Sequence, residues 1–202
     1  MIEAGLYKKL NTYEKIDLII CPSEFMRKKL ATDRALKDKL KVLYNFLEED
    51  GTQTGDNLFE KEDYVLYFGR FAKEKGIETL LEVCRQLPEI SFIFAGGGEL
   101  EKELKDVKNV KNVGFQKGEE LKKLIGRAKF SVFPSEWYEN CPYSVMESQL
   151  YGTPVVASRI GGVPELVEDG ITGELFTPGD VDDLKSKIEN LWNDNEKQKI
   201  YS

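Results

Sequence analysis

Between Phe133 and Pro154 the chain reads FPSEWYENCPYSVMESQLYGTP, and this run gathers the residues with the most chemical use. Two carboxylates, Glu139 and Glu147, are separated by seven residues, with Pro142 between them. Proline suits the first turn of a helix, because the N–H it lacks would go unused there. A helix starting near Pro142 leaves the N–H groups of Tyr143 and Ser144 without intrahelical acceptors, which makes an anion site. Glu139 then lies just before the helix and Glu147 about one turn inside it. Either carboxylate alone reads as a group favoured by the helix dipole. A pair bracketing an anion site is placed to accept hydrogen bonds from hydroxyls, one set on a sugar and one on a ribose.

Upstream, an apolar run ends in Gly69-Arg70, and Lys75-Gly76 follows five residues later. A glycine at a strand end lets a ligand approach the backbone, and two cations on the loop above it could hold a diphosphate. The alternative is an ordinary solvated loop. The triple glycine 96–98 is no dinucleotide fingerprint: the third glycine of GxGxxG would fall at 101, which is Glu101. It reads as a tight turn with Glu99 assisting the next helix, with close ligand approach at Gly97 and Gly98 left open. Gly161-Gly162 make a second close-approach loop. Trp137 and Tyr138 are expected to pack beneath their loop rather than line a sugar pocket. Cys141 has no histidine beside it to raise its thiolate fraction, so it is not read as a nucleophile.

The elements that must position these residues follow from period and punctuation. Ile16–Cys21 and Lys41–Tyr44 read as short strands flanking a helix whose N-cap is Ser23. The polar stretch 46–62, with its run EEDGTQTGDN, reads as a linker. Beyond it, short apolar runs at Tyr64–Phe68, Ser91–Ala95, Val110–Gly114, Phe130–Phe133 and Pro154–Ala157 read as strands. Helices are expected over Gly76–Gln86, Glu99–Asp106, Glu119–Arg127, Pro142–Tyr151 and Asp180–Trp192. In the first of them Ile77, Leu80, Leu81 and Cys84 share a face. Buried strands alternating with helices imply an α/β fold, a doubly wound parallel sheet over residues 63–202. Ligands in such sheets sit at the carboxyl ends of the strands.

Composition narrows the chemistry. The 202 residues carry 29 Lys+Arg against 36 Asp+Glu, a net charge of −7, which argues against nucleic acid as a partner and against strong membrane attachment. There is no histidine, which removes histidine triads and imidazole acid–base chemistry. Cys21, Cys84 and Cys141 form no CxxC pair, so neither zinc nor a disulfide framework is indicated, and a reducing cytoplasm is the expected setting.

The ordered set GR-x4-KG, GGG, VGF, PS-x3-E-x7-E, GTPVVAS and GGVPELV resembles the donor half of GT-B glycosyltransferases, most closely the retaining group 1, or family 4, enzymes. The motifs cover about 64–192. The resemblance implies a Rossmann-like sheet and a nucleoside-diphosphate-sugar donor. Arg70 and Lys75 match the pair that grips the diphosphate, Glu139 the residue touching the donor sugar, and Glu147 the one holding the ribose. Tyr143, Ser144 and Val145 match phosphate-facing positions, and Phe115 and Gln116 positions beside the base. Pro142 departs from the pattern, since many members carry glycine there. The resemblance also implies retention by front-face attack, with no metal or other cofactor.

Residues 1–45 resemble the end of an acceptor domain, with VLYNFL as the crossover, so a fragment lacking most of its N-terminal acceptor half is expected. Residues 1–45 would then pack on the donor domain in a non-native way or pair with another copy. The acceptor would be a glycan or lipid-linked saccharide, the full enzyme being cytoplasmic or peripheral at the inner membrane face. A competing reading is a nucleotide or phosphosugar-binding module without transfer; another is an epimerase or phosphorylase of the same fold, whose catalytic groups are not visible here.

Overall fold

The computed structural model describes residues 12–48 and 59–202. It divides into two compact units, Met1–Phe46 and Leu47–Ser202. The predicted linker run 48–57 lies, apart from Glu48, outside the described residues.

In the first unit, β1 (Ile19–Cys21) pairs in parallel with β2 (Leu40–Val42), and α1 (Glu24–Leu30) connects them. Ser23 caps α1 as predicted, its hydroxyl accepting from the Met26 N–H at 3.1 Å. Both strands are shorter than expected. Leu18 and Tyr44, read as strand residues, lie outside the pairing, Leu43 joins it only by its N–H to the Cys21 carbonyl at 2.9 Å, and all three are exposed.

The second unit is a six-stranded sheet. Its strands are β3 (Glu62–Arg70), β4 (Phe92–Gly97), β5 (Val110–Gly114), β6 (Ala128–Phe133), β7 (Val155–Ser158) and β8 (Gly173–Phe176). The spatial order is β5-β4-β3-β6-β7-β8 and every pairing is parallel. The helices are α2 (Ile77–Gln86), α3 (Gly118–Arg127), α4 (Tyr143–Leu150), α5 (Val181–Asn193) and α6 (Asn195–Tyr201). This is the doubly wound architecture that the alternating pattern implies.

Alternation along β3 shows how both faces are filled. Val65 and Tyr67 point into a cluster with Leu80, Leu81, Phe92, Phe94, Phe130 and Ile188, beneath α2 and α5. Tyr64, Leu66 and Phe68 point the other way, against Ile125 of α3. Each fully buried phenylalanine contributes about 1.5–3 kcal/mol of apolar transfer. The α2 face is as read: Ile77, Leu80, Leu81 and Cys84 are all buried.

Three elements differ from expectation. No α-helix spans 99–106. The Leu100 N–H goes to the Phe71 carbonyl, the bonds Glu101 to Gly98 and Glu103 to Leu100 are of the three-residue kind, and only a 3-10 turn, Glu103–Asp106, forms. Glu99 therefore has no helix to assist. β8 and α6 were not anticipated. Glu174, on β8 and 6% exposed, explains both. It accepts from Lys187 of α5 at 2.7 Å, and from Tyr201 at 2.9 Å and Lys197 at 3.3 Å on α6. Burial alone would raise its carboxyl, but these donors outweigh burial and hold it below the usual range.

Candidate functional site

The strand order reverses between β3 and β6, and the crevice above their carboxyl ends is where such sheets bind ligands. β3 delivers Gly69 and Arg70 to this edge. A 3-10 turn, Lys73–Lys75, follows and ends at Gly76, which is left-handed with φ 69°. A β-carbon on Gly76 would sit 1.8 Å from the Pro134 carbonyl oxygen, so the loop after β3 is pressed directly onto the loop after β6. The Glu136 N–H donates to the Glu74 carbonyl at 3.0 Å across the same seam.

This contact brings together residues far apart in the chain. The Lys75 ammonium donates to Glu139 Oε1 at 2.5 Å across a separation of 64 positions. Both side chains are largely shielded, so the pair is stronger than an exposed one. Arg70 pairs with Glu74 at 2.5 Å on the outer rim, where solvent screens it. The Tyr67 hydroxyl, raised above its usual range first by burial and then by the charge of Glu139, stays protonated and donates to the Arg70 carbonyl at 2.8 Å.

Glu139 is held from behind by the glycine loop after β7. The Gly162 N–H donates to the Glu139 carbonyl at 2.7 Å. Gly161, at φ 61°, lies so close that a β-carbon there would be 2.1 Å from the same oxygen.

α4 begins beyond this loop. Pro142 occupies the N-cap, not the first helical turn, and offers no capping side chain. Tyr143, Ser144 and Val145 therefore open the helix with N–H groups that no cap satisfies. α4 is also the one described α-helix without an acidic residue in its first turn. Its positive end is thus left for something else. The Val145 side chain is buried in the core, so only its backbone faces this end. Glu147 lies beyond the first turn and does not serve as a dipole carboxylate. Burial raises its carboxyl above the usual range.

A cavity of about 280 Å³ opens beside Arg70, lined by Gly69, Ala95, Gly96, Gly97, Phe115 and Gln116 among others. Phe115 is 78% exposed at its mouth. Gly97 is open toward this space, whereas Gly98 is not: its missing β-carbon makes room for the Phe71 backbone, 2.4 Å away. Trp137 and Tyr138 do not pack beneath the loop; both are exposed. Cys141 is buried, its Sγ 3.6 Å from Met146 Sδ.

Sequence reasoning missed Ser135 and Glu74. Each sits four positions from the site residue it touches, Ser135 from Glu139 and Glu74 from Arg70, but spacing in an irregular loop does not say that the side chains meet. Among the described residues, no group of three or more His, Cys, Asp or Glu is arranged to hold a metal, and no helix is long and apolar enough to cross a membrane.

Comparison with known proteins is consistent with this geometry. The family model described as "Glycosyl transferases group 1" matches residues 51–202. Sulfoquinovosyl transferase SQD2 of Arabidopsis thaliana is 35% identical over 67% of this chain and 28% of its own length. An uncharacterized glycosyltransferase of Methanocaldococcus jannaschii, MJ1178, is 30% identical over 91% of this chain and 52% of its own. The crystal structure of Anabaena Alr3699/HepE in complex with UDP superposes with a TM-score of 0.75 and 25% identity, covering 92% of this chain and 56% of that one. Its complex with UDP-glucose gives 0.79 at 24% identity, covering 100% and 61%. The chain thus spans from 28% to 61% of the length of these relatives. The sheet matches the C-terminal half of the GT-B fold, the Rossmann-like class expected.

Proposed function

The chain belongs to the group 1 glycosyl transferases, and from that premise we propose that it is the donor-binding half of a retaining enzyme. That enzyme moves a sugar from a nucleoside diphosphate to a glycan or lipid-linked saccharide, with the acceptor held by an N-terminal half preceding this one. The observation that carries the reading is the meeting of Lys75 and Glu139 above the strand-order reversal. It sets a cation and a hydroxyl-binding carboxylate side by side, where a diphosphate joins a sugar.

The chemistry follows from charge. As the bond from the sugar carbon to the leaving phosphate breaks, negative charge collects on the diphosphate. Arg70, Lys75 and the uncapped N–H groups of Tyr143, Ser144 and Val145 stabilise that charge from preorganised positions. Glu139 orients the sugar hydroxyls and Glu147 holds the ribose. The cavity beside Phe115 and Gln116, floored by Gly97, takes the base. Gly98 supports it from behind Phe71. Neither carboxylate acts as nucleophile or acid, and the glycosidase pairing does not apply. Retention comes from attack on the face that the leaving group vacates. The acceptor half would supply much of the positioning, so a donor half separated from it would turn over poorly.

The test is a thermal-melting series with UDP, GDP, ADP and dTDP, each alone and as its glucose conjugate, on the wild type and Arg70→Ala. UDP is the nucleotide expected, since HepE was crystallised with it. A ligand at 100 times its Kd adds about 2.7 kcal/mol, a rise of about 5–11 °C for a chain of this size. A rise with one nucleotide, lost in Arg70→Ala, is expected. No rise with any of them, or an equal rise in the variant, refutes the assignment.

A further inference from the structure

We propose that Ser135 is a positioning residue that aims the Glu139 carboxylate, pinning Oε1 so that Oε2 alone is offered to a bound sugar. The inference rests on the reading of Glu139 as the sugar-facing residue.

Ser135 is 1% exposed and belongs to no helix or strand. Its hydroxyl lies 2.8 Å from Glu139 Oε1, and 3.3 Å from the carbonyl oxygens of Glu74 and Trp137. A hydroxyl has one proton to give. The short contact to a charged oxygen takes it, and the two longer carbonyl contacts do not compete. Lys75 donates to the same Oε1. Among the described residues nothing donates to Oε2. The carboxylate is thus held by one oxygen, with the other turned outward.

Ser135 is itself fixed. Its carbonyl accepts from the Ser158 hydroxyl at 2.7 Å, and Ser158, at the end of β7, is wholly buried. The Glu139 backbone hangs from the neighbouring stretch of chain through the Gly162 N–H. Both ends of the glutamate are therefore referred to β7. Lys75 cannot do this work alone. In the proposed function its ammonium turns toward the diphosphate when donor arrives, which loosens its hold on Oε1. The buried hydroxyl has no other ligand to serve and keeps the carboxylate aimed through that change.

The experiment measures calorimetric affinities of UDP and UDP-glucose for the wild type, Ser135→Ala, Glu139→Ala and the double variant. The quantity read is the ratio of the two affinities, which is the sugar's contribution. Ser135→Ala is expected to leave UDP affinity within two-fold and to lower the ratio five- to ten-fold. In the Glu139→Ala background the same change is expected to do nothing further, because the group it aims is gone. Equal weakening of UDP and UDP-glucose, a ratio unchanged by Ser135→Ala, or a full penalty persisting without Glu139 would each overturn the proposal and leave Ser135 a structural residue. If Glu139→Ala leaves the ratio unchanged, or wild type binds UDP-glucose no better than UDP, the reading of Glu139 itself fails. Should Ser135→Ala not fold, Ser135→Cys keeps the volume with a weak donor and is expected to lower the ratio in the same direction.

Discussion

Replacing Gly161 by alanine tests whether the glycine loop after β7 sets the position of Glu139. The residue is left-handed at φ 61°, which costs an alanine about 1–2 kcal/mol. The new methyl group would also stand 2.1 Å from the Glu139 carbonyl oxygen and 2.8 Å from its nitrogen, where real contacts do not fall below 3.0 Å. Relief needs a movement of about 1 Å, by analogy with overpacked sites worth about 1–3 kcal/mol. The loop cannot simply retreat, because Gly162 donates to that same carbonyl. The total is about 2–5 kcal/mol, a fall in melting midpoint of about 4–20 °C. Gly170 is the control: it is left-handed at φ 79° with nothing within 4 Å of an added β-carbon, so its alanine variant carries the conformational cost alone. A displacement of about 1 Å at a reacting centre lowers rates by about a hundred-fold. Gly161→Ala is thus expected to melt below Gly170→Ala and to lose the sugar's contribution to UDP-glucose binding while keeping most UDP affinity. Equal melting of the two variants, with UDP-glucose binding intact in both, would refute the idea that this loop places the carboxylate.

Further perturbations have definite signs. Burial raises the Glu147 carboxyl, so the native state binds the extra proton and stability falls as pH climbs from the usual carboxylate range through the raised value. Glu147→Gln should therefore melt no lower than wild type at pH 7 while UDP affinity drops about ten-fold or more; a lower midpoint with unchanged binding would contradict both halves. Glu174 and Asp169 are both lowered, so what they contribute is present above the usual carboxylate range and is lost as pH falls through their depressed values. Glu174→Gln should cost about 1–3 kcal/mol at pH 7 and flatten the acid limb of a stability–pH curve; a limb as steep as wild type would point elsewhere. Phe71 is wholly buried, 6.1 Å from the Phe94 ring, and Phe71→Ala should cost about 3–5 kcal/mol by denaturant titration. A loss under about 1 kcal/mol would mean that the loop after β3 is not anchored by this ring.

The parts of the fold legible in the sequence are those whose signal is local. The α2 face could be read because four apolar residues recur at helical spacing, and the strands β3, β4, β6 and β7 because each holds a short apolar run between turn formers. β8 was not legible: GELF is four residues long, and its glutamate looks like a surface residue until three donors from α5 and α6 close on it. α6, NEKQKIY, is polar almost throughout and is docked by those same contacts. The expected helix at 99–106 gives way to successive three-residue turns, with Leu100 tied to the Phe71 carbonyl some thirty positions upstream. At the site, spacing alone placed Arg70, Lys75, Glu139 and the start of α4 on one edge. It could not show that Lys75 rests on Glu139, that Arg70 rests on Glu74, or that a buried serine sits behind the carboxylate. The first is a meeting across 64 positions that only the finished sheet brings about, and the other two are four-residue contacts in irregular loops, whose side-chain directions no periodicity fixes.

The seam between β3 and β6 also imposes an order on the birth of the protein. Ribosomes add about 5–20 residues each second, so β3, β4 and β5 emerge, and can pair locally, seconds before β6 and the Glu139 loop exist. Lys75 waits in that interval without the partner that it holds in the finished molecule. The crevice is assembled only when the second half of the sheet docks against the first through β6. A nascent or C-terminally clipped chain that lacks this docking keeps the cavity beside Phe115 and Gln116 but has neither Glu139 nor the open start of α4 to complete the crevice. A closed seam therefore reports that synthesis has passed β6 and the glycine loop after β7, and a chain stopped earlier would leave Lys75 open to solvent and the loop after β3 open to proteolysis.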